Sequence, residues 1–367
     1  MSVQVSYKKQ SVFAIFLILI IILVLEIISN IVLEINDSCT QSLSQSEIYE
    51  NFSHEKLKTI CKDYQSTIHF VTPYNHLAIN QYSDTVNINS EGFRGSEMSD
   101  EINSKYTIFL TGGSTAFGIY ASSDDTTISS QLEKIFQKNG YDVNVVNAGV
   151  NGAFSSDEYF LIKTKILQYS PNLILALTGW NDLETQFDQK SGVHTTETTI
   201  SNNLLYLQKF TKIDDLQFYL SRIIEKRLPV ESESIINFSS INQRSENWKN
   251  NWNKICDLGN NEKFKTIIAF QPLLGSGDKK LSDWENTTYK NYNQKKVLDE
   301  YKIFKNNLNT LKSCNKIIDL TNVFDNTDKT IFHDAGHFGD LGNRIIAQQI
   351  YKEISSVVIE ELSQAKN

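Results

Sequence analysis

The chain has 367 residues, 40% of them hydrophobic and 11% aromatic, enough for a buried core and too many for a disordered chain. Its 35 basic and 43 acidic residues give a net charge of −8. With no long Lys/Arg run to offset that balance, the composition argues against a sequence-independent nucleic-acid binder, which needs a basic face.

The first element is apolar. Residues 11 to 25 read SVFAIFLILIIILVL, and the run continues past Glu26 and Asn30 to about Ile35. About 25 helical residues at ~1.5 Å each cross the ~30 Å hydrocarbon core of a bilayer. Lys8 and Lys9 precede the run, so residues 1–10 are expected to be a cytoplasmic tail and everything after about Asn36 to lie outside. A cleaved signal peptide would carry a shorter apolar stretch followed by a small-residue cleavage site, and EIISNIVLEINDS offers none. A buried core helix is the less favoured reading of a segment that is apolar all round. Residues 11–35 are therefore expected to be an uncleaved anchor in the lipid bilayer, with a single pass and an extracytoplasmic main domain.

Four cysteines follow, Cys39, Cys61, Cys256 and Cys314, all on the side where disulfides persist. Four allow three connectivities. Proximity in the chain favours Cys39 with Cys61. Cys256 and Cys314 each precede an apolar strand candidate by a few residues, which favours their pairing. No CxxC pair points to a metal instead.

Residues 36–100 read as a polar stalk and lead-in that ends in NSEGFRG, 89 to 95. From about residue 101 the pattern alternates. Strands are predicted at 106–111, 142–147, 173–177, 265–270 and 316–320. Helices are predicted at about 127–138, 155–169, 290–312 and 341–362, with Ser155 or Ser156 as the cap of the second. Short, continuously apolar strands alternating with helices predict a parallel sheet covered on both faces, a three-layer α/β/α fold. The alternation breaks at about 184–258, which reads as a helical insertion with Trp248 and Trp252 at i,i+4. It is either a substrate cap or a hairpin that packs its apolar stripe on the core.

Chemistry concentrates at the strand ends. The first strand runs into TGGSTAFG, 111 to 118. A phosphate-binding P-loop would need a Lys after Gly118, and a dinucleotide loop would need Gly where Ser114 stands, so both phosphate readings lose their defining residue. What remains is a Ser that opens a helix between glycines whose backbone can approach a substrate closely. The second strand ends in NAGVNG, 147 to 152, and the third in TGWND, 178 to 182; near the end of the chain stands HDAGHFGD, 333 to 340. In an open parallel sheet such ends converge on one crevice. A hydroxyl nucleophile needs a base, and the base needs an orienting acceptor. Ser114, His337 and Asp334 supply these, and the Ser114 N–H, the Gly152 N–H and the Asn181 amide can donate to an oxyanion. Each residue alone has a simpler reading: Ser114 as a helix cap, and Asn181 as a turn former with Asp182. His333, His337, Asp334 and Asp340 together suggest a metal site, but Gly336 breaks the helix face that HxxxH needs. His54, His69, His76 and His194 show no partners in the sequence, and Trp180 either lines the pocket or packs beneath it.

Taken together, the blocks resemble the SGNH subclass of GDSL-type serine hydrolases. That family carries a Ser after the first strand, an oxyanion Gly after the second, an Asn in GxND after the third and an Asp-x-x-His pair near the C-terminus. Ser114, Gly152, Asn181, Asp334 and His337 match these positions in order. NSEGFRG looks like the lead-in of many microbial members. The match covers about 85–183 and 265–355. GGST in place of GDSL is the departure, and Gly149 is a second candidate for the oxyanion glycine. The resemblance implies a flavodoxin-like sheet and ester hydrolysis by Ser114, Asp334 and His337, with Ser114, Gly152 and Asn181 as the oxyanion hole. It calls for no cofactor and no metal. With the anchor, the expected substrate is an extracytoplasmic O-acyl ester of a glycan, lipid or small molecule. Two alternatives keep the fold: an O-acyltransferase with the same site, and a non-catalytic glycan-binding protein.

Overall fold

In a computed structural model, residues 6–35, 37–70, 74–98, 105–184, 189–190, 235–236 and 240–364 are described. The chain divides into two compact units, one including Met1–Gln41 and the other including Ser42–Val193 and Glu233–Asn367. In the first, helix α1, Tyr7–Ile35, is long and apolar enough to cross a membrane from Tyr7 to Val32.

The second unit is built on five parallel strands: β1, Tyr106–Gly112; β2, Val143–Gly149; β3, Leu173–Thr178; β4, Lys265–Phe270; and β5, Lys316–Asp319. Their order across the sheet is β5-β4-β3-β1-β2, the flavodoxin-like arrangement. All five predicted strands are present to within two residues. Alternating side chains go to opposite faces, and both faces are apolar. Ile108, Leu110, Leu175 and Ile267 pack against helices α2, Ile128–Lys138, and α7, Asp340–Gln364. Phe109, Ile174, Ile268 and Phe270 pack on the other face, against α3, Ser155–Thr164, α4, Ile241–Glu262, and α6, Gln294–Asn307.

The helix predicted near 290–312 is α6, and a further helix that was not expected, α5, Asp283–Asn291, precedes it. Asn293 between them takes a left-handed conformation (φ 49°), which Asn tolerates better than most residues. The cap of α3 also differs from expectation. Neither Ser155 nor Ser156 caps it; the Asp157 carboxylate accepts the Phe154 N–H at 3.0 Å, and Ser155 is engaged elsewhere.

The stretch expected as an insertion at 184–258 changes character at its C-terminal end. From Ile241 onward it is α4, a helix of the covering layer, with Trp248 and Trp252 fully buried against the sheet. The Thr-rich piece at His194 and the amphipathic stretch from Leu204 to Leu228 lie outside the described residues. Residues 42–98, expected to be a stalk, instead pack on the sheet unit. Leu57, Ile60 and Phe93 are buried, and Arg94 hydrogen-bonds through its N–H to the Asn147 carbonyl at 3.0 Å. The physical reason is the few apolar side chains within this polar segment, Leu57, Ile60 and Phe93 among them, which are covered on packing. Cys256 and Cys314 form a disulfide, and Cys39 and Cys61 are also disulfide-bonded.

Candidate active site

The register of the sheet brings three strand ends level. Gly112 at the end of β1 pairs with Gly149 on one side and Leu177 on the other. The loops that follow therefore emerge side by side, at the point where strand order reverses. Ser114 opens a four-residue helix, Ser114–Phe117, directly after β1. As its first residue, Ser114 has no intrahelical partner for its own N–H.

The Ser114 Oγ lies 2.6 Å from His337 Nε2. His337 Nδ1 faces both carboxylate oxygens of Asp334, at 2.8 Å and 3.0 Å. Since a carboxylate only accepts, Nδ1 carries the ring proton, and Nε2 is left to accept from the Ser114 hydroxyl. Asp334 Oδ1 also accepts the backbone N–H groups of Gly336 and His337, at 2.9 Å and 2.8 Å. Burial pushes the Asp334 carboxyl up, but the His337 charge and these hydrogen bonds outweigh it and hold the group down at about 2.

Asn181, at the start of the helical turn after β3, donates through Nδ2 to the Ala153 carbonyl at 2.7 Å. The same amide nitrogen lies against the Ser114 loop: a Cβ on Gly113 would meet it at 2.2 Å. Gly113 thus has to be glycine for Asn181 to sit beside the Ser114 turn. Gly152 lies on the exposed loop after β2, with open space where a Cβ would stand. Gly149, the other candidate, is different. A Cβ there would meet the Phe117 nitrogen at 2.1 Å, and its N–H is taken by Asn147 Oδ1 at 3.0 Å. It is a packing glycine with no N–H to spare.

Several residues around the site carry little sequence signal. Asp182, next to Asn181, accepts from the Ser155 N–H at 3.0 Å and from the Ser155 hydroxyl at 2.6 Å, and Asn251 donates to that hydroxyl at 3.0 Å. Burial pushes the Asp182 carboxyl up to about 6 against those hydrogen bonds. Beneath the Ser114 turn, Thr111 donates to the buried Glu158 at 2.7 Å, and burial raises that carboxyl well above its ordinary value. Arg94, from NSEGFRG, braces the other end of the turn. It donates to the Phe117 and Gly118 carbonyls at 3.1 Å and 2.7 Å and pairs with Asp124 at 2.7 Å. Trp180 packs on Gly336, where a Cβ would meet its ring at 3.2 Å.

His333 lies apart from the Ser114–His337–Asp334 line. It is 6% exposed, stacked on Trp284 and set edge-on to Tyr49 and Tyr120. Among the described residues no group of three or more His, Cys, Asp or Glu side chains is placed to hold a metal ion.

No protein-family model and no curated protein sequence matches the chain. Solved structures do. An acetyl xylan esterase, AlAXEase, is 13% identical, with 68% of this chain and 99% of that one covered and a TM-score of 0.40. A putative lipolytic protein of the G-D-S-L family from Desulfitobacterium hafniense is 12% identical, with 67% and 98% covered and a TM-score of 0.38. Axe2, an acetylxylan esterase from Geobacillus stearothermophilus, is 13% identical, with 68% and 94% covered and a TM-score of 0.39. Its sheet order and the helices on both faces give the chain a three-layer α/β/α fold of the flavodoxin-like kind.

Proposed function

We propose that the protein is a serine esterase that hydrolyses O-acyl esters through an acyl-enzyme. The observation that carries this reading is the unbroken line from Ser114 Oγ to His337 Nε2, at 2.6 Å, and from His337 Nδ1 to Asp334, at 2.8 Å. Ser114 attacks the ester carbonyl as His337 takes its proton. The tetrahedral oxyanion is met by the Ser114 and Gly152 N–H groups and by the Asn181 amide. The carbon–oxygen bond to the alcohol then breaks, and His337 returns the proton to the leaving oxygen. Water repeats the sequence and releases the acid. Asp334, held ionised, fixes the tautomer and stabilises the imidazolium.

The apolar helix is read as an uncleaved anchor and the sheet unit as extracytoplasmic. Lys8 and Lys9 before the helix and disulfide-bonded cysteines after it support that orientation. The substrate in this reading is an extracytoplasmic acyl ester of a glycan, lipid or small molecule.

The test uses the full chain in detergent with p-nitrophenyl acetate and longer acyl homologues. The parent is expected to release nitrophenol and free acid in equal amounts, and Ser114→Ala to release neither above background. Equal rates in both proteins would leave the TGGST turn as a turn and remove the proposal.

A further inference from the structure

Between the two loops of the triad stands a side chain that takes no part in the proposed chemistry. Gln271 is the residue immediately after β4 and is 4% exposed. Its Nε2 donates to Thr115 Oγ1 at 2.9 Å and to the Gly336 carbonyl at 3.3 Å. Thr115 follows the nucleophile in sequence, and Gly336 precedes the base. The Gly336 carbonyl can only accept, so the amide orientation is fixed by chemistry: the nitrogen faces the bridge.

Gln271 is itself seated firmly. Its N–H donates to the Thr178 carbonyl at 3.0 Å, and its carbonyl accepts from the buried Tyr301 hydroxyl at 2.7 Å. Beside it, the Ala335 carbonyl accepts from the Leu274 N–H at 3.0 Å and from Gln294 at 3.2 Å. The Asp334–His337 loop is thus fastened from behind to β4 and α6. Gln271 is the one of these fasteners that also reaches the Ser114 helix.

We infer that Gln271 is a positioning residue that sets the separation of Ser114 Oγ and His337 Nε2 by clamping their two loops to one sheet strand. The inference rests on the esterase reading of the same site. Its energetic logic is steep: a misplacement of about 1 Å in a reacting pair costs on the order of 10²-fold in rate. Substrate contacts are not involved, so the effect belongs in the chemical step and not in binding. Sequence gave one signal, a polar side chain at the C-terminal end of a core strand, the same kind of position that Asn181 occupies after β3.

The test compares the parent with Gln271→Leu, Thr115→Val and Ser114→Ala in the full chain. Three readouts are used: kcat and KM on p-nitrophenyl acetate, the rate of Ser114 labelling by a fluorophosphonate, and the melting temperature. Gln271→Leu is expected to lower kcat and the labelling rate together by about 10- to 100-fold, with KM within about twofold. Thr115→Val, which removes one end of the bridge while leaving Gln271 in place, is expected to lower both by less. Should Gln271→Leu fail to fold, Thr115→Val carries the test alone. A folded variant whose kcat and labelling rate per folded molecule equal the parent's, whatever its melting temperature, would overturn the inference and reduce Gln271 to packing. A parent labelled no faster than Ser114→Ala would instead overturn the esterase reading, so the two failures are distinguishable.

Discussion

Asn181 illustrates how much one side chain is asked to do. It sits against Gly113 and is tied to Ala153, so it joins the loop after β3 to the loops after β1 and β2. Truncation to Ala leaves the backbone of the turn and removes the amide. A single oxyanion donor contributes about 2.7–4 kcal/mol to the transition state, so Asn181→Ala is expected to lower kcat by about 10²–10³ with the fold retained. Steady-state kinetics beside circular dichroism check this, and near-normal turnover would remove Asn181 from the oxyanion hole. His333 makes a second prediction, about stability. Burial drives its imidazole down to about 4; the nearby Asp334 opposes this shift and His337 adds to it. The unfolded chain takes up a proton near 6.5, and the folded one only near 4. The folded state binds fewer protons across that window, so its stability is full above about 6.5 and is lost as pH falls towards 4. The loss attributable to this group is of order 3 kcal/mol. Asp182, raised to about 6, has the opposite sign: it costs stability as pH rises through that value. The net curve therefore mixes both, and the informative quantity is a difference. Urea unfolding from pH 4 to 7 is expected to show His333→Phe losing less stability than the parent on acidification. Parallel curves would mean that the ring is not buried as a neutral group.

At the scale of elements, the Ser114 turn is short and depends on its neighbours. The helix Ser114–Phe117 has four residues, too few to be stable alone. Its C-terminal carbonyls are satisfied by Arg94, whose guanidinium also donates to the Thr85 carbonyl at 2.9 Å and lies over the Phe117 ring at 4.7 Å. Arg94→Ala would leave the Phe117 carbonyl only the Asn147 amide, the Gly118 carbonyl only the Ala121 N–H, each at 3.1 Å, and Asp124 without its cation. Removing one partner of a buried ion pair costs about 3–5 kcal/mol, and a loss near the lower figure is expected here because Asp124 is 20% exposed. Denaturant unfolding measures it, and a change under about 1 kcal/mol would argue that water replaces the guanidinium. This brace marks a boundary of what can be read from residues in order. The strands were legible because continuous apolar runs bounded by glycine have few other uses, and strand order makes their C-terminal ends a shared site. Ser114, Asn181 and the Asp334–His337 pair were legible for the same reason: they are polar groups at those ends. Arg94 was visible only as part of a motif, because apart from Asp124 its partners are carbonyls, which carry no side-chain signature. Asp182 with Ser155 and Asn251, and Thr111 with Glu158, were not legible at all. They join residues 27 to 96 positions apart through burial, which no local pattern encodes. The packing of residues 42–98 was missed because their polar composition resembles a linker until Leu57, Ile60 and Phe93 are seen to be covered.

For the molecule as a whole, the disulfides connect fold and compartment. Cys256 on α4 is joined to Cys314 just before β5, across 58 residues that include β4, α5 and α6. In the chain-entropy account, a loop of that length restricts the unfolded state by about 4 kcal/mol, a sizeable part of the 5–15 kcal/mol that holds an ordinary domain together. A cytoplasmic domain would be kept reduced and would fold without that contribution; an exported one keeps it. The cysteines therefore test the direction that Lys8, Lys9 and the apolar helix imply. Cells carrying the full chain are quenched with a thiol reagent that adds mass, before and after reduction, and the chain is followed on a gel. No shift is expected before reduction, and a shift equivalent to four thiols after it. The double variant Cys256→Ser/Cys314→Ser is expected to lose about 2–4 kcal/mol in urea unfolding and to retain the parent's esterase activity where it is folded. A chain that shifts fully without reduction would place the sheet unit in the cytoplasm and reverse the topology. If the chain remains in the pellet on alkaline extraction while its cysteines stay protected, the same molecule is both anchored and exported. The ester it meets must then lie outside the cell membrane.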